Sequence, residues 1–76
     1  MTRTTAERVS LESSILAAAE HDPSQGQLRL EFRDGTRYAY FGVPPQAFHD
    51  LLHADSKGAF FNRHIRSQFK CLRIEP

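Results

Sequence analysis

The run Leu28-Arg29-Leu30-Glu31-Phe32 alternates apolar and polar side chains without a break, and Asp34-Gly35 then leads into Thr36-Arg37-Tyr38-Ala39-Tyr40-Phe41. Period-two alternation on both sides of Asp-Gly specifies a β-hairpin with one dry and one wet face. That requirement excludes an all-helical bundle and makes an antiparallel sheet the frame of the fold. Loop length decides where the tyrosines point. A two-residue Asp34-Gly35 turn pairs Phe32 with Arg37 and turns both rings away from Leu28, Leu30 and Phe32. A three-residue loop, Arg33-Asp34-Gly35 with the glycine left-handed, pairs Phe32 with Thr36, Leu30 with Tyr38 and Leu28 with Tyr40. The second register gathers the apolar residues on one face and leaves Arg29, Glu31 and Arg37 on the other. Because a one-residue slip turns every side chain over, the hydrophobic pattern selects the three-residue loop.

The remaining chain must supply a cover for the dry face. Pro44-Pro45 fits a helix start, where a missing N–H costs nothing. Phe48, Leu51 and Leu52 then form an i, i+3, i+4 stripe, and Ala54-Asp55 ends that helix. Ser56 is placed to cap a second helix over residues 57–67, with Phe61 and Ile65 on one side and Arg63 and Arg66 on another. Residues 69–74 read as a closing strand. Ile15-Leu16-Ala17-Ala18-Ala19-Glu20 is ambiguous, since alanine and leucine favour helix but the run is short and uncapped. Residues 1–12 are polar, lack an apolar period and read as a flexible N-terminal tail. Residues 13–76 make one domain.

At 76 residues only a modest core can form. The single cysteine, Cys71, allows no internal disulfide, and a reducing, cytoplasmic setting follows. No apolar stretch is long enough to span a bilayer, so no membrane is expected. The net charge of +1 conceals an asymmetry: Lys57, Arg63, Arg66, Lys70 and Arg73 fall between Ser56 and Ile74 with no acidic residue among them. Most basic runs are solvated faces, but one so one-signed on so small a domain is also an electrostatic footprint for phosphate or an acidic partner.

Taken in order, Ser13-Ser14-Ile15, Leu30-Glu31-Phe32 with Asp34-Gly35, Tyr38-Ala39-Tyr40 with Gly42-Val43-Pro44, and Ser56-Lys57-Gly58 with Phe61-Asn62 and Ile65-Arg66 resemble the KTSC domain family. That family is named for the C-terminal domain of some lysyl-tRNA synthetases and also occurs as stand-alone small bacterial proteins. The central aromatic-x-aromatic pair is weak alone, whereas the ordered string from Ser13 to Ile74 is specific. The sequence departs from the family's usual lysine at Arg63 and asparagine at His64, keeping both positions polar. The resemblance implies that residues 15–20 form a strand, so the fold class is α+β: a small antiparallel sheet, made of the hairpin with N- and C-terminal strands, covered on one face by two short helices. It also implies RNA as the partner, through the association with a tRNA synthetase.

The candidate nucleic-acid-binding residues are Tyr38, Tyr40, Lys57, Asn62, Arg63 and Arg66. The tyrosines offer rings for unpaired bases, although the favoured register makes them core residues with hydroxyls at the rim. The cations can meet phosphates, and Asn62 and the amides after Ser56 can add hydrogen bonds at a helix N-terminus. Ser-Lys-Gly lacks the other parts of a phosphate loop. His49 and His53 stand at i, i+4 but have no further ligands at metal spacing, so no metal or cofactor is expected. Cys71 reads as a small hydrophobe rather than a nucleophile, and no carboxylate pair suits acid–base work. The expected function is therefore non-catalytic binding of nucleic acid, RNA before DNA. The alternative is a protein-interaction module whose basic segment meets an acidic protein surface, with a homodimer as one variant.

Overall fold

The structure, a computed structural model describing residues 7–74, places the predicted hairpin in the middle of a sheet. In chain order the elements are β1 (Glu7–Ser10), β2 (Leu16–Asp22), β3 (Gln27–Phe32), β4 (Arg37–Phe41), α1 (Pro45–His53), α2 (Lys57–His64) and β5 (Cys71–Arg73). The five strands lie in sequence order and every pairing is antiparallel, with both helices inserted between β4 and β5. The protein is α+β.

The hairpin takes the three-residue loop. Leu28 pairs with Tyr40 and Leu30 with Tyr38. The Phe32 amide donates to the Thr36 carbonyl at 2.8 Å, and Gly35 sits at φ +95°, a left-handed conformation that side chains rarely adopt. Asp34 holds the loop by accepting from the Thr36 amide at 3.0 Å and from its hydroxyl at 2.7 Å.

β2 resolves the Ala-rich run as a strand. It is paired on both sides, by β1 and β3, and its Ala18 and Ala19 are buried. Tertiary pairing here overrides a helix propensity worth only tenths of a kcal/mol per residue. A register shift between Leu16 and Ala18 lets Leu16, as well as Ala19 and His21, face the helices.

The N-terminal expectation needs correction. Residues 7–12, expected within a flexible tail, are built into the domain: β1 pairs with β2, and Leu11 is 3% exposed within the core. Arg8, Val9 and Ser10 alternate around one apolar residue, too short a pattern to register as a strand. The rest of the expected tail, residues 1–6, lies outside the described residues.

Each helix closes over one part of the sheet. Phe48 of α1 stacks on the buried His21 ring of β2, with centroids 5.3 Å apart, and the His21 Nε2 shares a 2.8 Å hydrogen bond with the Val43 carbonyl. Phe61 of α2 meets Phe32 of β3 at 5.4 Å and Tyr40 of β4 at 5.7 Å, both edge-to-face. Leu16, Leu28, Leu30, Val43, Leu51 and Ile65 are fully buried between the layers. Of the expected core positions, Phe48, Phe61 and Ile65 are buried, while Phe32 and Leu52 are partly covered at its border. The other face of the sheet is open and charged: Arg8 pairs with Glu31 at 2.7 Å and Arg29 with Glu20 at 3.6 Å.

α2 ends earlier than its sequence pattern suggested. Ile65 leaves helical geometry at φ −121°, and both its amide and that of Arg66 donate to the Phe61 carbonyl. A turn then carries the chain to a three-residue β5 at the sheet's edge. Among the described residues, no helix is long and apolar enough to cross a membrane.

Candidate functional site

The hairpin register decides the setting of the two tyrosines. Leu28 and Leu30 face the helices, so their partners Tyr40 and Tyr38 do too. Tyr40 is 4% exposed, wedged edge-on against Phe61, so neither face of its ring is open to a base. Burial first, and then the neighbouring Cys71 thiol, push its hydroxyl up to about 12, so it stays protonated into alkaline solution. Tyr38 is half-buried, held edge-to-face by Phe32 at 5.9 Å.

Between this strand and α2 lies a cleft of about 530 Å³. Phe32, Phe61, Tyr38 and Tyr40 form its aromatic wall, and Ile15, 41% exposed, stands at one rim. Asn62, Arg66 and Cys71 supply polar groups, and among the described residues Arg66 is the only formally charged one lining it. Arg66 follows the end of α2 at His64 and lies beside Asn62, four residues earlier. Arg66 Nη1 donates to Asn62 Oδ1 across a long 3.4 Å.

Four of the six candidate residues thus share one cleft: Tyr38, Tyr40, Asn62 and Arg66. Arg63 is exposed on α2 and does not line that cleft. Lys57 borders a neighbouring depression of about 420 Å³ at the start of α2, to which Ile15 and Asn62 also contribute. The Lys57 Nζ donates to the Ala54 carbonyl at 3.1 Å, and the Ala59 amide is taken by the Ser56 hydroxyl. Glu12 and Asp55 border the same depression. Two carboxylates beside the single lysine, and one amide already taken, work against phosphate at this helix start. Gly58 has a packing role instead: a Cβ on it would stand 2.9 Å from Ile15 Cδ1.

Cys71, Ile15 and Phe32 also line the cleft, and the sequence did not mark them as site residues. Cys71 faces Tyr40 across the β4–β5 pairing, a juxtaposition that becomes visible only once the position of β5 in the sheet is known. His49 and His53 are tied by a 2.9 Å contact between His53 Nδ1 and the His49 carbonyl. Among the described residues, no three His, Cys, Asp or Glu side chains are grouped as metal ligands.

An antiparallel five-strand meander with a helical pair before its last strand, and an aromatic cleft where the second helix meets the sheet, define the class of domain. The chain belongs to the KTSC domain family, whose sequence profile matches residues 12–69. A KTSC domain protein of Yersinia pestis has a crystal structure similar to this one, with a TM-score of 0.89 and 34% identity, covering 93% of this chain and 100% of that one. A protein of Stutzerimonas stutzeri is 44% identical over 90% of this chain and 97% of its own length. A lysine–tRNA ligase of a Nostoc species is 41% identical over 78% of this chain, a match that spans 10% of the ligase.

Proposed function

We propose that this domain is a non-catalytic binder of single-stranded nucleic acid, RNA before DNA. The observation that carries the reading is the cleft itself, in which an aromatic wall, an amide and an arginine converge with no carboxylate among the described residues that line it. Arg63 and Lys70 extend the positive charge outside the cleft, and both are exposed. Cations of this kind hold phosphates without reading sequence, while aromatic and amide groups suit unpaired bases. The Nostoc relative acts on tRNA by name and contains a similar segment, which gives the same reading a second, weaker support.

The test is a fluorescence-anisotropy titration with a labelled single-stranded RNA at two salt concentrations. Counterion release makes affinity fall as salt rises, and replacing Arg63 and Arg66 together by alanine should weaken binding to unrelated sequences and flatten that dependence. Absence of salt-dependent binding to RNA or DNA at micromolar protein would turn attention to the alternative, an acidic protein partner. That second reading draws on Phe41 and Leu72, which are 40% and 64% exposed in adjacent strands at one edge of the sheet.

A further inference from the structure

We infer that the cleft admits one unpaired nucleotide, base inward and phosphate on Arg66, so that a nucleoside 5′-monophosphate is its smallest sufficient ligand. The inference rests on the nucleic-acid reading above and narrows it from a basic surface to a one-residue pocket. Three features carry it.

The first is size. About 530 Å³ falls within the range of cavities that hold small molecules. The second is the balance of chemistry. Aromatic and aliphatic walls suit a flat heterocycle, and a single lining cation with no lining carboxylate among the described residues suits a single anionic group. The adjoining depression at the start of α2 sets Glu12 and Asp55 against the single cation Lys57, so its lining does not favour a second phosphate on that side. A ligand with several phosphates would therefore be mismatched, whereas one nucleotide presents one base and one phosphate.

The third feature is the state of the polar groups. Asn62 is exposed, and its contact with Arg66 at 3.4 Å is long enough to be exchanged readily for bonds to a ligand. Its amide offers a donor and an acceptor together, the pattern that base edges present. Ile15 at the rim and the half-buried Tyr38 leave apolar surface that an inserted ring would cover. Entry to the aromatic wall requires a base that is not engaged with a partner strand, which selects single strands over duplex.

The experiment is a set of amide-shift titrations of the full chain with uridine 5′-monophosphate, uridine, ribose 5-phosphate and inorganic phosphate, beside a labelled single-stranded RNA. The monophosphate should shift the amides of Tyr38, Asn62, Arg66 and Cys71 saturably. It should bind about tenfold more tightly than ribose 5-phosphate, the order of gain expected from covering the half-buried Tyr38 and the rim at Ile15 with one base. Arg66→Ala should reduce it to the affinity of uridine, while Arg66→Lys, which keeps the charge, should recover part of the loss. If the RNA binds but the monophosphate leaves the cleft amides unmoved, or binds no better than ribose 5-phosphate, the one-nucleotide pocket is wrong and the broader proposal stands. If neither the RNA nor the monophosphate binds, both fall together.

Discussion

At the scale of single residues, Tyr40 has two consequences that can be measured. Its hydroxyl titrates higher in the folded protein than in the unfolded chain, where a tyrosine ionises near 10. Between those values the folded state holds a proton that the unfolded state has lost, so stability declines as pH rises. Denaturant melts between pH 9 and 12 should show that decline, and Tyr40→Phe should make it shallower; an identical slope in the two proteins would place the hydroxyl in water. Gly35 gives a second residue-scale test. At φ +95°, with nothing within 4 Å of the point where a Cβ would stand, it suffers from substitution through backbone strain rather than crowding. Gly35→Ala should cost about 1 kcal/mol, and Gly35→Asn less, because asparagine tolerates left-handed backbone.

At the scale of elements, the parts differ in how legible they were. The β3–β4 hairpin could be read to the pairing of individual residues, because alternation on both strands and a glycine at the loop leave one register that keeps the apolar side chains together. The helices were readable from proline, the serine cap and their apolar stripes. β2 was legible only through the family resemblance, since Leu16 to Ala19 carries no polar alternation, and a strand paired on both edges and made of small buried residues has a pattern that a helix shares. β1 is silent in the sequence because four residues with one aliphatic side chain give no period, and its contribution is tertiary. Leu11→Ala tests how far this N-terminal segment belongs to the core: loss of about 2–5 kcal/mol in chemical denaturation is expected, where a residue in a tail would cost nothing. Phe61→Ala, which removes the ring joining α2 to both hairpin strands, should cost about 3–5 kcal/mol and largely unfold so small a domain.

At the scale of the whole molecule, charge is sorted between surfaces. The open face of the sheet ties Arg8 to Glu31 and Arg29 to Glu20, while the helix side carries Arg63 and Arg66 with no carboxylate between residues 56 and 74. The six candidate residues were recognisable as types, but their grouping was not. Helical periodicity put Arg63 and Arg66 on one face, whereas only Arg66, beside Asn62, lines the cleft, and the Lys57 ammonium donates to the Ala54 carbonyl past the end of α1. Such separations depend on which strands pack beside the helix, to which periodicity is blind. Stability should owe nothing to metal, so a chelator is expected to leave the melting temperature unchanged, and a drop restored by zinc would contradict that.

The central claim is that single-stranded nucleic acid is held at the cleft between α2 and β4, and amide-shift mapping with a short single-stranded RNA at low salt tests it most directly. The account predicts saturable shifts centred on Tyr38, Asn62, Arg66 and Cys71, with Arg8, Glu20 and Glu31 on the open face unmoved. Shifts confined to that open face, or none at RNA concentrations well above that of the protein, would contradict it.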